Sequence, residues 1–245
     1  MYWNKANNLR ILKKVWINVP NFIVWNEKEK KIGFNEIKKK LNFPLIIRSS
    51  FSLEDWKNNS FAGIYDSYFP VYDEKSYKKW LKICLNSDQL DRFKTYTKQK
   101  EIDIKNLEKN ILIQEFIIWD FSWICFTKNK KNNIIIEIVP WINDPLAQWN
   151  VKNPFSLKID RNNVKDYEIK SFYMDNEYET IENNILVSKE YDISQFEENI
   201  ILNFKNKLLY SFLKIEKLFW YPQDIEFSVR WNKIFILQSR NITIL

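Results

Sequence analysis

The spacing of apolar and polar residues predicts helices at the start of the chain, in its first half and directly before a final β-hairpin. A first helix is predicted over residues 4–15, where apolar residues recur at near-helical spacing: Leu9, Ile11, Leu12 and Val15. Residues 73–107 also have a helical pattern, with Asp73 as N-cap. The longest predicted helix, from Ser194 to Phe219, opens with the capping box "SQFE" and continues with a single apolar stripe.

Short runs rich in β-branched residues predict strands between these helices. They cover residues 21–24, 43–50, 110–117, 122–127 and 132–139, and residues 60–71 begin as a loop and continue as an alternating strand. The middle of the chain, residues 141–193, is polar and weakly patterned, so loops with short strands are expected there. Strands and helices mixed in this order indicate an α+β protein with more than one sheet.

The last predicted element is a β-hairpin that carries polar residues inside segments of buried character. Alternation places Asp224 and Glu226 on one face of its first strand. In the second strand the same rule places four residues on one face: Ile234, Ile236, Gln238 and Arg240. If the turn holds three residues, 231–233, then Glu226 lies opposite Gln238, and Asp224 lies opposite Arg240. A two- or four-residue turn would separate these pairs.

The composition describes a globular chain. It has 245 residues, of which 45% are hydrophobic, enough for one large domain or two small lobes. No apolar run approaches the roughly 18–20 residues of a membrane span, and the sequence opens without an apolar signal core. The two cysteines, Cys84 and Cys125, give neither a disulfide framework nor metal-ligand spacing. We therefore expect no membrane partner and a cytoplasmic location.

The charge is compatible with a phosphate-containing partner. The net charge is +7 and the pI is about 9.1, which suits nucleic acid or nucleotide phosphates. The lysines are spread along the chain, so nucleic acid is the less favoured of the two. Histidine is absent, which excludes every mechanism that needs a histidine base, nucleophile or metal ligand within these residues.

Three further segments could supply groups for an anion. Arg48 ends a buried strand and precedes two serines, Gly63 lies in a loop whose backbone amides could approach a phosphate, and Lys5 begins a helix. Two of them have a simpler alternative, because Arg48 could be the partner of a structural ion pair and Lys5 could be merely solvated. In the hairpin, carboxylate and amide oxygens suit Mg²⁺ and the guanidinium suits a phosphate. The alternative there is a structural ion pair on a half-solvated sheet.

The order of these segments carries a resemblance to a known family. The segments "RSSFSLEDWKNNSFAG", "ILIQEF", "FSWICFT", "YPQDIEF" and "FILQSRNIT" together resemble the nucleotide-binding domain of phosphoenolpyruvate synthase and pyruvate phosphate dikinase, which rifampicin phosphotransferase shares. The similarity covers nearly the whole chain and is weakest in the middle. It implies one ATP-grasp domain over residues 1–245, of α+β class, with two lobes of mixed or antiparallel sheets, about 1–110 and 111–245, around an ATP cleft.

The resemblance also assigns roles in nucleotide binding. Lys5 and Arg48 resemble the residues that hold the ATP phosphates. The mobile loop over the phosphates is similar to the segment formed by Ser60, Phe61, Ala62 and Gly63. The segment that binds adenine resembles Gln114, Glu115, Phe116 and Ile117.

In the hairpin the resemblance and the strand alternation agree. Glu226 and Gln238 match the family's Mg²⁺ ligands, and Asp224 and Arg240 match the residues that flank the transferred phosphate. Asp224, Arg240 and Arg48 are therefore the candidate catalytic residues. Two more acids, Glu137 and Asp144, fall near family acids less securely.

The family passes phosphate from ATP to a histidine on a swivelling domain, and then to an acceptor on a third domain. Neither domain lies within residues 1–245, so the resemblance implies a phosphotransferase component that needs a separate histidine-bearing phosphocarrier and, through it, a small acceptor such as pyruvate. The alternatives are a non-catalytic nucleotide-binding or regulatory module and, less favoured, a basic aromatic RNA-binding protein.

The chain has only 2 glycines but 11 tryptophans, whereas an average chain of this length has roughly 17 glycines. Tryptophan stands where the family has glycine at Trp3, Trp16, Trp123, Trp141, Trp149 and Trp220. Trp56 and Trp231 also lie where a loop favours glycine. One hypothesis is that UGA encodes glycine in the source, and the printed sequence gives tryptophan there. The alternative is a lineage that lost its glycines and ATP binding with them. Trp25 and Trp80 fit amphipathic elements.

Overall fold

A computed structural model of the chain describes two compact units. The described residues are 5–29, 32–52, 67–105, 107–117, 121–140, 155–170, 177–182, 185–190 and 198–242. The first unit consists of Met1–Arg10 and Pro20–Ile117, and the second of Ile11–Val19 and Ile118–Leu245. Within the described ranges, no helix is long and apolar enough to cross a membrane.

The first unit is built on an antiparallel sheet of four strands, in the order β1-β4-β2-β3. These strands are β1 (Phe22–Asn26), β2 (Leu45–Ser49), β3 (Ser67–Val71) and β4 (Asn110–Glu115). The helices are α1 (Lys5–Lys14), whose last residues belong to the second unit, α2 (Phe34–Lys40), α3 (Glu74–Leu85) and α4 (Asp91–Gln99), with a 3₁₀ turn at Ser87–Gln89.

One face of this sheet forms the core of the first unit with α2 and α3. Its buried side chains include Trp25, Ile37, Ile47, Leu81 and Ile113. The predicted N-cap of α3 is confirmed, because the Asp73 carboxylate accepts a hydrogen bond of 2.7 Å from the Ser76 amide. Burial of one apolar face leaves the opposite face of β2 and β4 for other groups.

The predicted helical region 73–107 is divided into three pieces. α3 ends at Leu85, and a 3₁₀ turn leads to Leu90, whose extended backbone breaks the helix before α4. α4 ends where the Ile102 amide donates to the Thr97 carbonyl. The apolar residues therefore keep a helical spacing across residues 86–90, although the backbone is not α-helical there.

The second unit is built on an antiparallel sheet of six strands, in the order β12-β11-β5-β6-β7-β8. These strands are β5 (Phe121–Phe126), β6 (Asn133–Pro140), β7 (Phe155–Asp160), β8 (Tyr167–Lys170), β11 (Gln223–Arg230) and β12 (Lys233–Asn241). A separate pair consists of β9 (Glu177–Glu182) and β10 (Ile185–Glu190). The polar middle thus contains four strands. Among them β8 is an exposed edge strand, and such a strand needs few apolar residues.

The long helix α5 (Glu198–Phe219) packs on the apolar face of the six-stranded sheet at β11. Its stripe of Leu208, Phe212 and Ile215 is fully buried, as the sequence predicts, and the Phe212 ring lies 4.6 Å from that of Phe227 on β11. The predicted capping box at Ser194 lies outside the described residues.

The hairpin has the predicted pairing but a different turn. Glu226 is opposite Gln238 and Asp224 is opposite Arg240, yet the turn holds two residues, Trp231 and Asn232. A β-bulge supplies the extra residue instead: Phe227 pairs with Ile236 and Glu226 pairs with Gln238, which leaves Leu237 between them.

The bulge also corrects the predicted faces of β12. Ile234 and Ile236 pair with Val229 and Phe227 on the apolar face, rather than sharing a face with Gln238. Strict alternation cannot place Ile236 in the core and Gln238 on the opposite face without an extra residue. The bulge therefore satisfies the core and the polar face at once.

Candidate functional site

The polar face of the six-stranded sheet gathers the predicted residues of the second unit. Two cross-strand rows run over this face: Gln238–Glu226–Ile124–Glu137 and Arg240–Asp224–Phe126–Ile135. Because directly paired residues in an antiparallel sheet share a face, Glu137 lies on the same face as the hairpin acids. The less secure prediction of Glu137 thus coincides with the predicted site, whereas Asp144 lies outside the described residues.

Asp224 and Arg240 form a closely spaced ion pair. Arg240 donates from Nε and Nη2 to the same carboxylate oxygen, Oδ2, at 2.7 and 2.6 Å, and Asp224 is only 8% exposed. Burial raises the pKa of Asp224 above its usual value; the Arg240 guanidinium opposes this shift, and the neighbouring Glu226 carboxylate adds to it. Charged groups held at this cost are typical of functional sites.

Glu137 is a third carboxylate in this region. Its pKa is raised, first by burial and then by the negative charge of Asp224. The polar face therefore concentrates negative charge around Glu226, which favours a cation or another group that carries positive charge.

The start of β11 is anchored by residues that sequence reasoning did not single out. The Gln223 amide donates to Thr127 Oγ1 at 2.8 Å, and the Thr127 amide donates to the Gln223 carbonyl at 2.9 Å. The Gln223 side chain in turn accepts from Ser239 Oγ at 2.7 Å. These bonds fix β11 on both sides at the residue before Asp224. The glutamine in the quoted motif "YPQDIEF" was the available signal.

The residues present fit Mg²⁺ when a ligand completes its coordination. Glu226 and Gln238 offer a carboxylate and an amide oxygen from directly paired positions. In the described part of the chain, no group of three or more His, Cys, Asp or Glu residues could hold a metal ion. Mg²⁺ is commonly bound by one or two protein oxygens together with phosphates and water. This arrangement suits a metal–nucleotide complex rather than a metal held by protein alone.

In the first unit, the start of α1 contacts the end of β2. The Ala6 amide donates to Ser50 Oγ at 3.0 Å in a buried hydrogen bond. This contact places Lys5, the first described residue of α1, near the segment that carries Arg48. Arg48 is buried, and a buried guanidinium needs anionic or hydrogen-bonding partners. The helix start and the two cations favour an anion here.

Gln114 shares a sheet face with Arg48. On β4, Gln114 and Leu112 alternate with the core residues, and they pair with Ile46 and Arg48 of β2. Gln114 is 1% exposed, and within the described ranges its Nε2 has no hydrogen-bond partner. A buried donor without a partner costs stability unless a ligand accepts from it. The Gln114 amide is therefore suited to donate a hydrogen bond to a ligand on this face.

Two of the three residues after Gln114 make structural contacts within the first unit. The Glu115 carboxylate accepts from the side chains of Asn21 and Asn42 at 3.1 and 2.9 Å, and its amide donates to the Asn21 carbonyl. The Phe116 amide donates to the Pro44 carbonyl, and its ring stacks on Phe69 at 4.8 Å. Ile117 ends the described segment. Of this segment, the Gln114 side chain is best suited to bind a base.

The predicted loop over the phosphates cannot be placed. Ser60, Phe61, Ala62 and Gly63 lie outside the described residues. The structure therefore groups Lys5, Arg48 and Gln114 in the first unit, and Asp224, Glu226, Gln238 and Arg240 in the second.

Comparison with known proteins identifies the family. Residues 26–245 match the family described as "Pyruvate phosphate dikinase, AMP/ATP-binding domain", and the chain belongs to this family. This membership confirms the predicted resemblance and, together with two units built on antiparallel sheets, the predicted α+β fold of the ATP-grasp type. The chain is thus an ATP-binding domain.

Several curated proteins are similar to this chain over most of its length. It is 27% identical over 207 residues to an uncharacterized phosphotransferase, YvkC, of Bacillus subtilis, which covers 80% of this chain and 24% of that protein. It is 27% identical to a probable phosphoenolpyruvate synthase of Archaeoglobus fulgidus, over 80% of this chain and 26% of that protein. It is also 27% identical to a rifampicin phosphotransferase of Bacillus cereus, over 81% of this chain and 23% of that protein. The chain spans about a quarter of the length of these relatives.

Among solved structures, D-alanine–D-alanine ligase from Bacillus anthracis is similar with a TM-score of 0.45 and 14% identity. The similarity covers 98% of this chain and 56% of the ligase chain. A D-Ala:D-Ser ligase from Enterococcus faecalis has a TM-score of 0.46 and 12% identity, over 97% of this chain and 52% of that chain.

Proposed function

We propose that the chain binds Mg·ATP and transfers a phosphate from it to a histidine on a separate chain. The observation that carries this proposal is the register of the hairpin, which pairs Glu226 with Gln238 and Asp224 with Arg240 on one polar face. Family membership supports ATP as the nucleotide. The names of the relatives, a phosphotransferase and a phosphoenolpyruvate synthase, support transfer.

In the second unit, Glu226 and Gln238 would hold Mg²⁺, which neutralises charge on the phosphates as the transferred group leaves. Arg240 is held in place by Asp224, so its guanidinium has a fixed direction toward a phosphate oxygen. The buried ion pair thus keeps the Arg240 guanidinium pre-organised. Negative charge that forms on the phosphate during transfer would be stabilised without rearrangement of the side chain.

In the first unit, Arg48 and Lys5 would bind phosphate oxygens, and the start of α1 adds the positive end of its dipole. The buried Gln114 amide would hydrogen-bond the adenine ring. The loop of Ser60 to Gly63 would cover the phosphates.

The acceptor must come from elsewhere, because residues 1–245 include no histidine. We propose a phosphocarrier domain on a separate chain that presents its histidine to the bound nucleotide. That domain would then pass the phosphate to a small molecule such as pyruvate.

Two measurements separate binding from transfer. Mg·ATP should raise the melting temperature, because a ligand specific to the native state stabilises it. Glu226→Ala and Arg240→Ala should each abolish that shift. Glu168→Ala is the control, because Glu168 is an exposed acid on β8, and this variant should retain the shift. Retention of the shift in both site variants would contradict the assignment. Transfer is then tested with labelled ATP and an isolated histidine-bearing domain of a relative; binding without labelled phosphohistidine would leave a nucleotide-binding module.

A further inference from the structure

Three tryptophans occupy backbone conformations that favour glycine. The φ angles of Trp16, Trp220 and Trp231 are 62°, 62° and 47°, in the left-handed region. A side chain with a Cβ is disfavoured there, and glycine is the residue that adopts it at no steric cost. In contrast, Gly33 has a φ of −77° and does not use the freedom of glycine.

Trp16 lies at the C-terminal end of α1, in a Schellman motif. The Trp16 amide donates to the Lys13 carbonyl at 3.3 Å, and the Ile17 amide donates to the Leu12 carbonyl at 3.1 Å. In this motif the residue at the position of Trp16 is usually glycine. Trp220 directly follows the last residue of α5, where the same left-handed cap is common.

Trp231 lies in the two-residue turn of the hairpin. Asn232, the second turn residue, also has a positive φ of 61°, which makes a type I′ turn. Such turns prefer asparagine and glycine at these two positions. Asn232 agrees with this preference and Trp231 does not. The Arg230 guanidinium lies 4.1 Å from the centre of the Trp231 ring, which gives this tryptophan a favourable contact. Glycine is therefore more strongly indicated at positions 16 and 220 than at position 231.

Burial separates these three residues from other tryptophans of the chain. Trp16, Trp220 and Trp231 are 93%, 85% and 75% exposed, so their rings gain little from packing. Trp25 is 6% exposed in the core of the first unit, and Trp80 stacks on Tyr68 with ring centroids 4.3 Å apart. The chain thus contains one group of packed tryptophans and one group at glycine-type turns.

We infer that Trp16, Trp220 and Trp231 are glycine in the protein that the source organism makes, and that it reads UGA as glycine. The shortage of glycine, 2 residues in 245, is then a property of the printed sequence. The inference rests on backbone angles and exposure and does not depend on the proposed function. Trp123 lies within β5 and is not among the positive-φ residues, and Trp3, Trp56, Trp141 and Trp149 lie outside the described residues.

Peptide mass spectrometry of the protein purified from the source organism tests the inference directly. We expect glycine at positions 16, 220 and 231, and tryptophan at positions 25 and 80. The gene should correspondingly have UGA codons at the first three positions and UGG at the other two. Tryptophan at any of the three turn positions would overturn the inference, and glycine at position 25 or 80 would overturn the division into two groups.

A recombinant protein tests the physical argument separately. Trp16→Gly and Trp220→Gly should each raise the melting temperature by roughly 2–6 °C, whereas Trp25→Gly should lower it. Glu101→Gly is the matched control, because Glu101 has a φ of 51° at the end of α4. This helix end has the same hydrogen-bond pattern as that of α1: the Glu101 amide donates to the Lys98 carbonyl, and the Ile102 amide donates to the Thr97 carbonyl. A fall in melting temperature for Trp16→Gly, with a rise for Glu101→Gly, would overturn the argument.

Discussion

The two sheets of the protein are alike in having one buried apolar face and one polar face, but their polar faces carry different chemical groups. In each, one face packs under helices, and the other face carries polar residues near the ends of two neighbouring strands. The first unit offers hydrogen-bond donors, Arg48 and the Gln114 amide, and the second offers carboxylate and amide oxygens at Glu226 and Gln238. Phosphates require donors and cations, and Mg²⁺ requires oxygens. Under the proposed function, the first unit would bind phosphate and base, whereas the second would hold Mg²⁺ and place Arg240 against a phosphate oxygen.

Deletion of Leu237 should have the largest effect on this comparison. Without the extra residue, Gln238 and Arg240 move to the apolar face or the core residues Ile234 and Ile236 leave it. We expect complete loss of the Mg·ATP-dependent rise in melting temperature, and destabilisation of roughly 3 kcal/mol or more. Leu237→Ala keeps the register and is the control: it should be destabilised but should retain the shift. A deletion variant that binds normally would show that the bulge does not position the site.

Substitutions in the two units should differ in their dependence on magnesium. Arg48→Ala should weaken ATP binding with or without Mg²⁺, by about 100-fold or roughly 3 kcal/mol, because it removes a buried cation. Glu226→Ala should weaken binding only when Mg²⁺ is present, because it removes a metal ligand. Calorimetric titration of ATP with and without Mg²⁺ measures both. Identical magnesium dependence in the two variants would contradict the division between the units.

Replacement of Gln114 by leucine should have a smaller effect on affinity and the opposite effect on stability. Loss of one hydrogen bond to the base should weaken ATP binding about tenfold. The unliganded protein should melt at a higher temperature, since the variant removes a buried donor that lacks a partner in the described ranges. Gln89→Leu is the control, because Gln89 is exposed and bonded to Asp88. A Gln114 variant with unchanged affinity would exclude this residue from base recognition.

Glu137→Gln should have the smallest effect, and a pH dependence identifies its cause. The pKa of Glu137 in the folded protein is raised by burial and by Asp224, so folding disfavours its charged form. Stability is then lost as pH rises from the ordinary glutamate pKa through the raised one. The glutamine variant should melt at a higher temperature at pH 7, and the gain should disappear below about pH 4.

Glu168→Gln is the matched control for that measurement. The pKa of Glu168 is lowered, first by its hydrogen bond to Lys158, so folding favours its charged form. The control variant should therefore lose a little stability at neutral pH rather than gain it. A gain for Glu137→Gln that is equal at all pH values would indicate a packing effect instead of a charge effect.

Sequence patterns were most informative where local chemistry decides the structure. The cap at Asp73, the apolar stripe of α5 and the strands around Arg48 and Gln114 follow from residue type and spacing alone. The short strands expected in the middle segment are present, but their pairing was not predicted, because β8 lies at a sheet edge and has a mostly exposed, polar sequence. Its pairing depends on β7, which spacing along the chain does not reveal.

By itself, the sequence determined the types of most elements and the family resemblance. It predicted the pairing of Asp224 with Arg240 and of Glu226 with Gln238 only for a three-residue turn, which is wrong, because the turn holds two residues. Only the tertiary structure decided how that pairing is reached, since the bulge at Leu237 exists because Ile236 packs in the core while Gln238 faces away from it. The tryptophans divide in the same manner. Composition indicated an anomaly, but backbone angles and burial distinguished Trp16, Trp220 and Trp231 from Trp25, because φ and packing are properties of the folded chain.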